Sequence, residues 1–166
     1  EFFTPTKQIA HCGHATIAAF SYLKETGIIK NNSSSKETID GIRNIYFEGN
    51  NAFMEQKAPA YQIPKDHLES ILASLNLTAP GIIRGLEPTI VNTGNSFLII
   101  PVKNELVLKQ LKPDFKKIKQ LSEQFNLIGY YIFTDKAEDN NADVTTRMFA
   151  PLYGIEEESA TGMAAG

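Results

Sequence analysis

The sequence has little cysteine, no long apolar run and no large net charge. Each of these shortages excludes a class of structure or of binding partner. Cys12 is the single cysteine, so an internal disulfide is impossible, and a lone thiol fits a reducing, cytoplasmic setting. No uninterrupted apolar run approaches the roughly 20 residues of a membrane-spanning helix, so we expect no membrane partner. The formal net charge is only -3, which offers no basic patch to phosphates and argues against a nucleic-acid partner.

Each end of the sequence resembles only part of a secondary-structure element. Phe2-Phe3-Thr4 is typical of the exit of a strand already under way. Residues 160–166 predict a turn that opens into a helix too short to repay its nucleation cost. We therefore expect the sequence to be a part of a longer protein.

The apolar pattern predicts an α+β fold. A helix over residues 13–26, ended by Gly27, is apolar nearly all round in its first turns and is expected to be buried. The serine-rich stretch over residues 31–36 is expected to be a surface loop. Further strands are predicted at residues 44–48, 52–55, 89–92, 97–102, 130–133 and 144–149. Further helices are predicted after Pro64 and at residues 113–125. We place a boundary between two lobes, residues 1–84 and residues 85–166.

An internal repeat supports this division. Phe3-Thr4-Pro5, a loop and Cys12-Gly13-His14-Ala15 are matched by Phe149-Ala150-Pro151, a loop and Thr161-Gly162-Met163-Ala164. Each copy joins an aromatic strand end to a small-residue helix start. Two such helix starts facing each other would form an anion site, because their unpaired N–H groups and dipoles converge.

These residues resemble two signatures of the PhzF-like phenazine-biosynthesis family, which has the diaminopimelate epimerase fold. The first signature comprises residues 2–6 and 12–16; the second comprises residues 147–151, 154–155 and 160–162; Thr93-Gly94 resembles a third point. The resemblance covers the whole chain. It implies two pseudo-symmetric lobes, each a curved mixed sheet around a central helix, with the start of the first lobe and the end of the second missing.

The resemblance also implies a function. It predicts a homodimer with no metal or organic cofactor that binds a small-molecule carboxylate substrate between its lobes. In the best-understood family member, a glutamate moves a proton within a cyclic dihydro-hydroxy-anthranilate. That glutamate precedes the first signature and has no counterpart in this sequence. We expect an isomerase that shifts a proton on a small, cyclic or amino-acid-derived metabolite.

The resemblance assigns two catalytic candidates. His14 falls at the family's active-site histidine, where it could bind a carboxylate or assist proton transfer; from position alone, a histidine that satisfies local backbone groups is the alternative. Glu158 falls where the family usually has an aspartate, but acidic runs such as residues 156–158 are often simply solvated.

Four further residues are expected to bind the substrate. Gly13, Thr161 and Gly162 would offer backbone N–H groups, with ordinary tight turns as the alternative. Met163 replaces the family's usual serine, which removes a hydrogen bond, makes the site more apolar and puts the family's named substrate in doubt.

Two other functions remain open. The replacements at Met163 and Glu158 would also suit a non-catalytic carboxylate-binding protein. Cys12 lies at the first thiol position of cysteine-dependent epimerases and racemases of this fold, but Thr161, at the second, is no base at neutral pH. No metal site is expected at residues 11–14, because adjacent residues rarely converge on one ion.

Overall fold

A computed structural model describes residues 1–10, 12–39, 41–137, 141–159 and 161–165. Within these ranges the chain forms eleven strands: β1 (Phe2–Phe3), β2 (Gln8–Ile9), β3 (Ser33–Thr38), β4 (Gly41–Glu48), β5 (Asn51–Met54), β6 (Ala60–Gln62), β7 (Thr89–Asn92), β8 (Ser96–Pro101), β9 (Gly129–Thr134), β10 (Thr145–Ala150) and β11 (Ile155–Glu158). Five α-helices are described: α1 (Gly13–Glu25), α2 (Leu68–Ser74), α3 (Glu105–Gln110), α4 (Phe115–Phe125) and α5 (Gly162–Ala165).

The largest sheet has six strands in the order β11-β10-β9-β8-β7-β6. Strands β8 and β9 pair in parallel, and the other neighbours pair antiparallel. The central pair is mostly apolar and nearly all buried, as expected for strands covered on both faces. This mixed sheet with its helices confirms the predicted α+β class.

One face of the six-stranded sheet is covered by α2, α3 and α4. Ile118 of α4 and Ile71 of α2 are fully buried in the same apolar cluster as Ile100 and Phe149 of the sheet. Helix α4 begins after Asp114, whose carboxylate accepts a hydrogen bond from the Lys117 amide at 3.1 Å, a typical N-cap. This cluster is the main core.

The opposite face of the same sheet carries a smaller apolar cluster. Phe97, Tyr131, Met148 and Ala150 are buried there, and Met163 of α5 packs against them. Because strand side chains alternate between faces, β10 contributes to both clusters. The second face is the one that leads to the candidate site.

A separate three-stranded antiparallel sheet, in the order β3-β4-β5, packs beside α1. Its β4–β5 hairpin, with Gly49 at a φ of 57° in the turn, confirms the predicted hairpin. The expectation of a loop over residues 31–36 is wrong, since Ser33–Thr38 is a strand. Backbone pairing with β4 in the register Ser33↔Tyr46 is enough to order a polar edge strand.

The expectation that α1 is buried nearly all round is also wrong. Thr16 is its only buried residue, and Ala18, Ala19 and Tyr22 are exposed. The three-stranded sheet covers one side of α1, so small and aromatic side chains on the other side of the described helix face outward. An apolar helix sequence is compatible with burial, but a neighbouring strand or helix must be present to cover it.

The predicted boundary between residues 84 and 85 stays a prediction. Strand β6, from the first half of the chain, pairs with β7 in the register Tyr61↔Val91. The six-stranded sheet therefore includes one strand that precedes that boundary. Strands β6 and β11 and helix α3 were not predicted from the sequence, because each is too short to show a clear apolar period.

No helix in the described part of the chain is both long and apolar enough to span a membrane.

Candidate active site between two helix starts

A cleft of about 350 Å³ lies where the first turns of α1 and α5 meet. All six residues that the sequence analysis nominated line this cleft: Gly13, His14, Glu158, Thr161, Gly162 and Met163. They come from both halves of the chain, more than 130 positions apart in sequence for Gly13 and Gly162. The fold therefore brings the two predicted signature ends to one place.

The two signatures also contact each other directly behind the cleft. Thr6 Oγ1 donates a hydrogen bond to the Leu152 carbonyl at 3.1 Å. Gly154 has a φ of 75°, and a Cβ there would lie 3.1 Å from both Pro5 and Thr6. Glycine at this position permits the left-handed backbone and the close approach of the first signature.

Helix α1 offers backbone N–H groups to the cleft. It begins at Gly13 after Cys12, whose side chain makes no capping hydrogen bond within the described structure. The first N–H groups of such a helix are open to an external acceptor. The described part of α5 is only four residues long, so an anion site built on two converging helix dipoles stays a prediction.

Met163 occupies the space between the two helix starts. Its Cγ would lie 3.2 Å from a Cβ placed on Gly13, and its Sδ accepts a weak hydrogen bond from Asn95 Nδ2 at 3.2 Å. The thioether therefore narrows the cleft at the point where the sequence predicted an anion to bind, and makes this wall apolar.

His14 and Cys12 contact each other at the cleft. The Cys12 Sγ lies 3.7 Å from His14 Nδ1 and 3.6 Å from His14 Nε2. His14 is exposed, whereas Cys12 is half-buried. A thiol beside an imidazole can exchange a proton with it. The epimerase alternative placed Cys12 at a reactive position, and the structure brings it to the cleft together with Thr161.

Glu158 is the half-buried last residue of β11. It lines the cleft, whereas the neighbouring Glu157 forms an ion pair with Arg147. The acidic run over residues 156–158 is therefore not uniformly solvated. A carboxylate, an imidazole and a thiol share one cleft, which supplies groups able to accept and donate protons.

Lys36 is a charged residue near the cleft that the sequence analysis missed. It is 9% exposed, and its Nζ donates to Thr16 Oγ1 at 2.8 Å, which in turn donates to the Cys12 carbonyl at 2.7 Å. The Nζ also lies 4.9 Å from the centre of the Phe2 ring. Burial lowers the pKa of Lys36, and the nearby Cys12 acts in the opposite direction. A lysine inside a serine-rich stretch gave no signal of burial.

The remaining walls of the cleft are mainly apolar and were not predicted. They include Phe2, Ile128, Met148, Tyr153 and Ile155. Burial raises the pKa of the Tyr153 phenol, so this hydroxyl stays protonated at neutral pH and can only donate or accept a neutral hydrogen bond. Phe2, Met148 and Ile155 fall within the two signatures, which were the sequence signal for these walls.

No group of three or more histidine, cysteine, aspartate or glutamate side chains suited to a metal ion occurs within the described ranges. His11 lies outside the described residues, so the expectation about residues 11–14 stays a prediction. The same holds for Ala160 and Gly166 in the predicted C-terminal turn and helix.

Taken together, these observations define an α+β protein in which a carboxylate, an imidazole and a thiol line one cleft at the starts of α1 and α5. The chain belongs to the phenazine biosynthesis-like protein family, whose model matches residues 1–166.

Relatives and solved structures agree with this assignment. The chain is 31% identical over 172 residues to the uncharacterized isomerase YddE of Salmonella typhimurium, covering 99% of this chain and 57% of that protein. It is 30% identical over 177 residues to an uncharacterized isomerase of Clostridium acetobutylicum, with the same coverage of both chains. The chain thus spans little more than half the length of these relatives.

Two solved structures support the fold. A PhzF-family phenazine biosynthesis protein of Bacillus anthracis matches with a TM-score of 0.81 and 28% identity, covering 99% of this chain and 57% of that one. A structure titled as a predicted epimerase from Pseudomonas aeruginosa matches with a TM-score of 0.69 and 20% identity, covering 99% of this chain and 57% of that one. The second match bears on the fold alone.

Proposed function

We propose that the protein is a cofactor-independent isomerase that moves a proton on a small carboxylate-bearing metabolite. One observation carries the proposal: a single cleft of about 350 Å³ collects His14 and Glu158 from opposite halves of the chain. This volume is in the range of small-molecule sites, roughly 300–1,000 Å³. The isomerase names of the relatives from Salmonella typhimurium and Clostridium acetobutylicum agree with it.

The cleft would bind the substrate by its carboxylate. The open N–H groups at the start of α1 would donate hydrogen bonds to the carboxylate. The buried ammonium of Lys36, behind Cys12, adds positive potential on the same side. The apolar walls strengthen these interactions because they exclude water. Gly13, Thr161 and Gly162 would contribute backbone contacts, and Met163 would limit the size of the group bound beside them.

His14 and Glu158 would then assist the transfer of a proton on the bound substrate. The resemblance places the principal base, a glutamate, ahead of the first signature. In this scheme His14 orients the carboxylate or carries a proton, and Glu158 accepts or donates one from the opposite wall. We also propose that the active protein is a homodimer and acts in the cytoplasm, as expected from the family and from the single cysteine.

Exchange of solvent deuterium into candidate substrates tests the proposal. The whole protein is incubated in deuterium oxide with a panel of cyclic and amino-acid-derived carboxylates, and loss of carbon-bound proton signals is followed by proton NMR. We expect His14→Ala and Glu158→Gln to lower the exchange rate by about 10²- to 10⁴-fold, the usual contribution of an acid–base group. Glu156→Gln, a change to an exposed member of the same acidic run, is the matched control.

Wild-type exchange rates in both His14→Ala and Glu158→Gln would contradict the roles given to these residues. A ligand that binds, as measured by calorimetry, but never exchanges a proton would instead support the non-catalytic carboxylate-binding alternative. The molar mass of the whole protein in solution, measured by light scattering, tests the homodimer.

A second candidate is an epimerase- or racemase-like reaction in which Cys12 transfers the proton. The contact of 3.6 Å between Cys12 Sγ and His14 Nε2 favours it, because an adjacent imidazole can activate a thiol. Cys12→Ala separates the two candidates. It would abolish exchange in a thiol mechanism and leave most of it if Cys12 is only a small wall residue.

A further inference from the structure

Strand β11 contains an irregularity that sets the direction of Glu158. In its pairing with β10, Met148 lies opposite Glu158 and Ala150 lies opposite Ile155. Two residues, Glu156 and Glu157, therefore stand opposite the single residue Phe149, which is a β-bulge.

The bulge changes which acidic side chain faces the cleft. Side chains alternate along a regular strand, so a regular β11 would put Glu157, not Glu158, on the same face as Ile155. In the structure, Ile155 and Glu158 both line the cleft, together with their partners Ala150 and Met148. The extra residue thus turns Glu158 inward.

Glu157, the residue displaced by the bulge, is held by Arg147. Arg147 Nε donates to Glu157 Oε1 at 2.7 Å and Nη2 donates to Oε2 at 2.9 Å. This two-pronged arrangement is the most specific geometry of an arginine–carboxylate pair. The ion pair connects β11 to β10 at the residue next to Met148, which lies opposite Glu158.

Arg147 is itself fixed from the other side. Its Nη1 donates to the Leu108 carbonyl at 3.2 Å and to the Leu111 carbonyl at 3.4 Å, at the end of α3. Its guanidinium carbon lies 4.9 Å from the centre of the Phe149 ring. The hydrogen bond with Glu157 raises the pKa of Arg147, and the same bond lowers the pKa of Glu157. Both groups are therefore charged at neutral pH.

We propose that Arg147 and Glu157 are positioning residues, whose ion pair holds the bulge of β11 so that the Glu158 carboxylate faces the cleft. The inference rests on the proposed function, because that function requires the Glu158 carboxylate to assist proton transfer in the cleft. The pair acts through Glu158 and does not touch the substrate. A surface ion pair of this kind adds little to stability, so its role is in the geometry of the site.

The test follows the Glu158 carboxylate itself. The whole protein is labelled with ¹³C at glutamate side-chain carboxyls, and the Glu158 resonance is identified by its absence from Glu158→Gln. We compare two variants. Glu157→Gln keeps the shape of the side chain and removes its charge, whereas Arg147→Lys keeps the positive charge and removes the two-pronged hydrogen bonding. Glu156→Gln, in the same bulge but exposed, is the matched control.

We expect both variants to shift the Glu158 resonance, while the control leaves it unchanged. In the deuterium-exchange assay, kcat should fall by about 10- to 100-fold with a much smaller change in KM, as expected when an acid–base group is misplaced by about 1 Å.

An unchanged Glu158 resonance in Glu157→Gln and Arg147→Lys would overturn the inference, whatever happens to activity. A lower melting temperature with no change at Glu158 would overturn it too, because that is the signature of a merely structural pair. If Glu158→Gln itself exchanges deuterium at the wild-type rate, the role proposed for Glu158 fails, while the NMR comparison still decides whether the pair positions it.

Discussion

Met163 lies directly against Gly13, so that a Cβ added to Gly13 would be 3.2 Å from Met163 Cγ. This contact joins the starts of α1 and α5, one from each signature. It explains why a glycine is useful at the start of α1 beyond its conformational freedom. The absence of a side chain leaves room for the Met163 side chain, which narrows the cleft.

Gly13→Ala should displace Met163 by a few tenths of an ångström and narrow the cleft. Because the methionine side chain is flexible, we expect a small loss of stability, below about 1.5 kcal/mol, but weaker binding of any ligand. Thermal unfolding and ligand titration measure the two effects. The double variant Gly13→Ala with Met163→Ala should recover binding; equal losses in the single and double variants would show that the contact is unimportant.

Lys36 should make the protein more stable as the pH rises. Burial lowers its pKa below the ordinary value, so between the lowered pKa and about 10.4 the unfolded state binds more protons than the folded state. Stability therefore increases with pH in that window. Lys36→Met keeps a similar volume without the charge, and we expect it to remove this increase.

Chemical denaturation of wild type and Lys36→Met at a series of pH values from 7 upward measures the effect. The difference between the two proteins isolates Lys36 from other lysines and tyrosines that titrate in the same range. The exposed Lys30→Met is a matched control for loss of a lysine. Parallel curves for wild type and Lys36→Met would disprove the prediction.

The ion pair between Arg147 and Glu157 should give a dependence of the same sign at acid pH, with stability increasing as the pH rises. Because the pKa of Glu157 is lowered by Arg147, the pair stabilises the protein above the unfolded glutamate value of about 4.3. That stabilisation is lost as the pH falls through the lowered pKa. The Glu157 side chain is 44% exposed, which limits the effect to less than about 1 kcal/mol. Glu157→Gln should flatten this part of the stability curve, and Glu156→Gln should not.

Gly129→Ala should be strongly destabilising. A Cβ at this first residue of β9 would overlap the Phe149 carbonyl oxygen and the Ala150 side chain. The backbone of β10 cannot move away without breaking its pairing with β9, so we expect a loss of about 3 kcal/mol or more. Gly162→Ala is the contrasting change, since a Cβ there meets nothing within 4 Å. Equal melting temperatures for the two variants would refute this account.

Much of the fold and of the candidate site could be predicted from local sequence. Strands β7 and β9 and helix α4 were predicted within two residues of their observed bounds, and the structure confirms them. The family resemblance nominated six residues, and the structure places all six around one cleft. Their catalytic and binding roles stay predictions.

Other features could not be predicted because they depend on partners distant in sequence. The polar stretch of β3 becomes a strand only because β4 offers it a backbone ladder. One side of α1 is exposed because the three-stranded sheet covers only the other side. The apolar residues of α1 do not specify which element packs against it. Lys36 is buried because α1 places Thr16 above it.

The sequence by itself determined the family, the α+β class and the residue types available for chemistry, because motif spacing and apolar period are local properties of the chain. Only the tertiary structure decided which of these residues meet. The bulge that turns Glu158 toward the cleft arises from pairing between β10 and β11. The contact between Gly13 and Met163 arises from packing of the two signatures. Both depend on strand register and on close packing across the chain, which no short stretch of sequence contains.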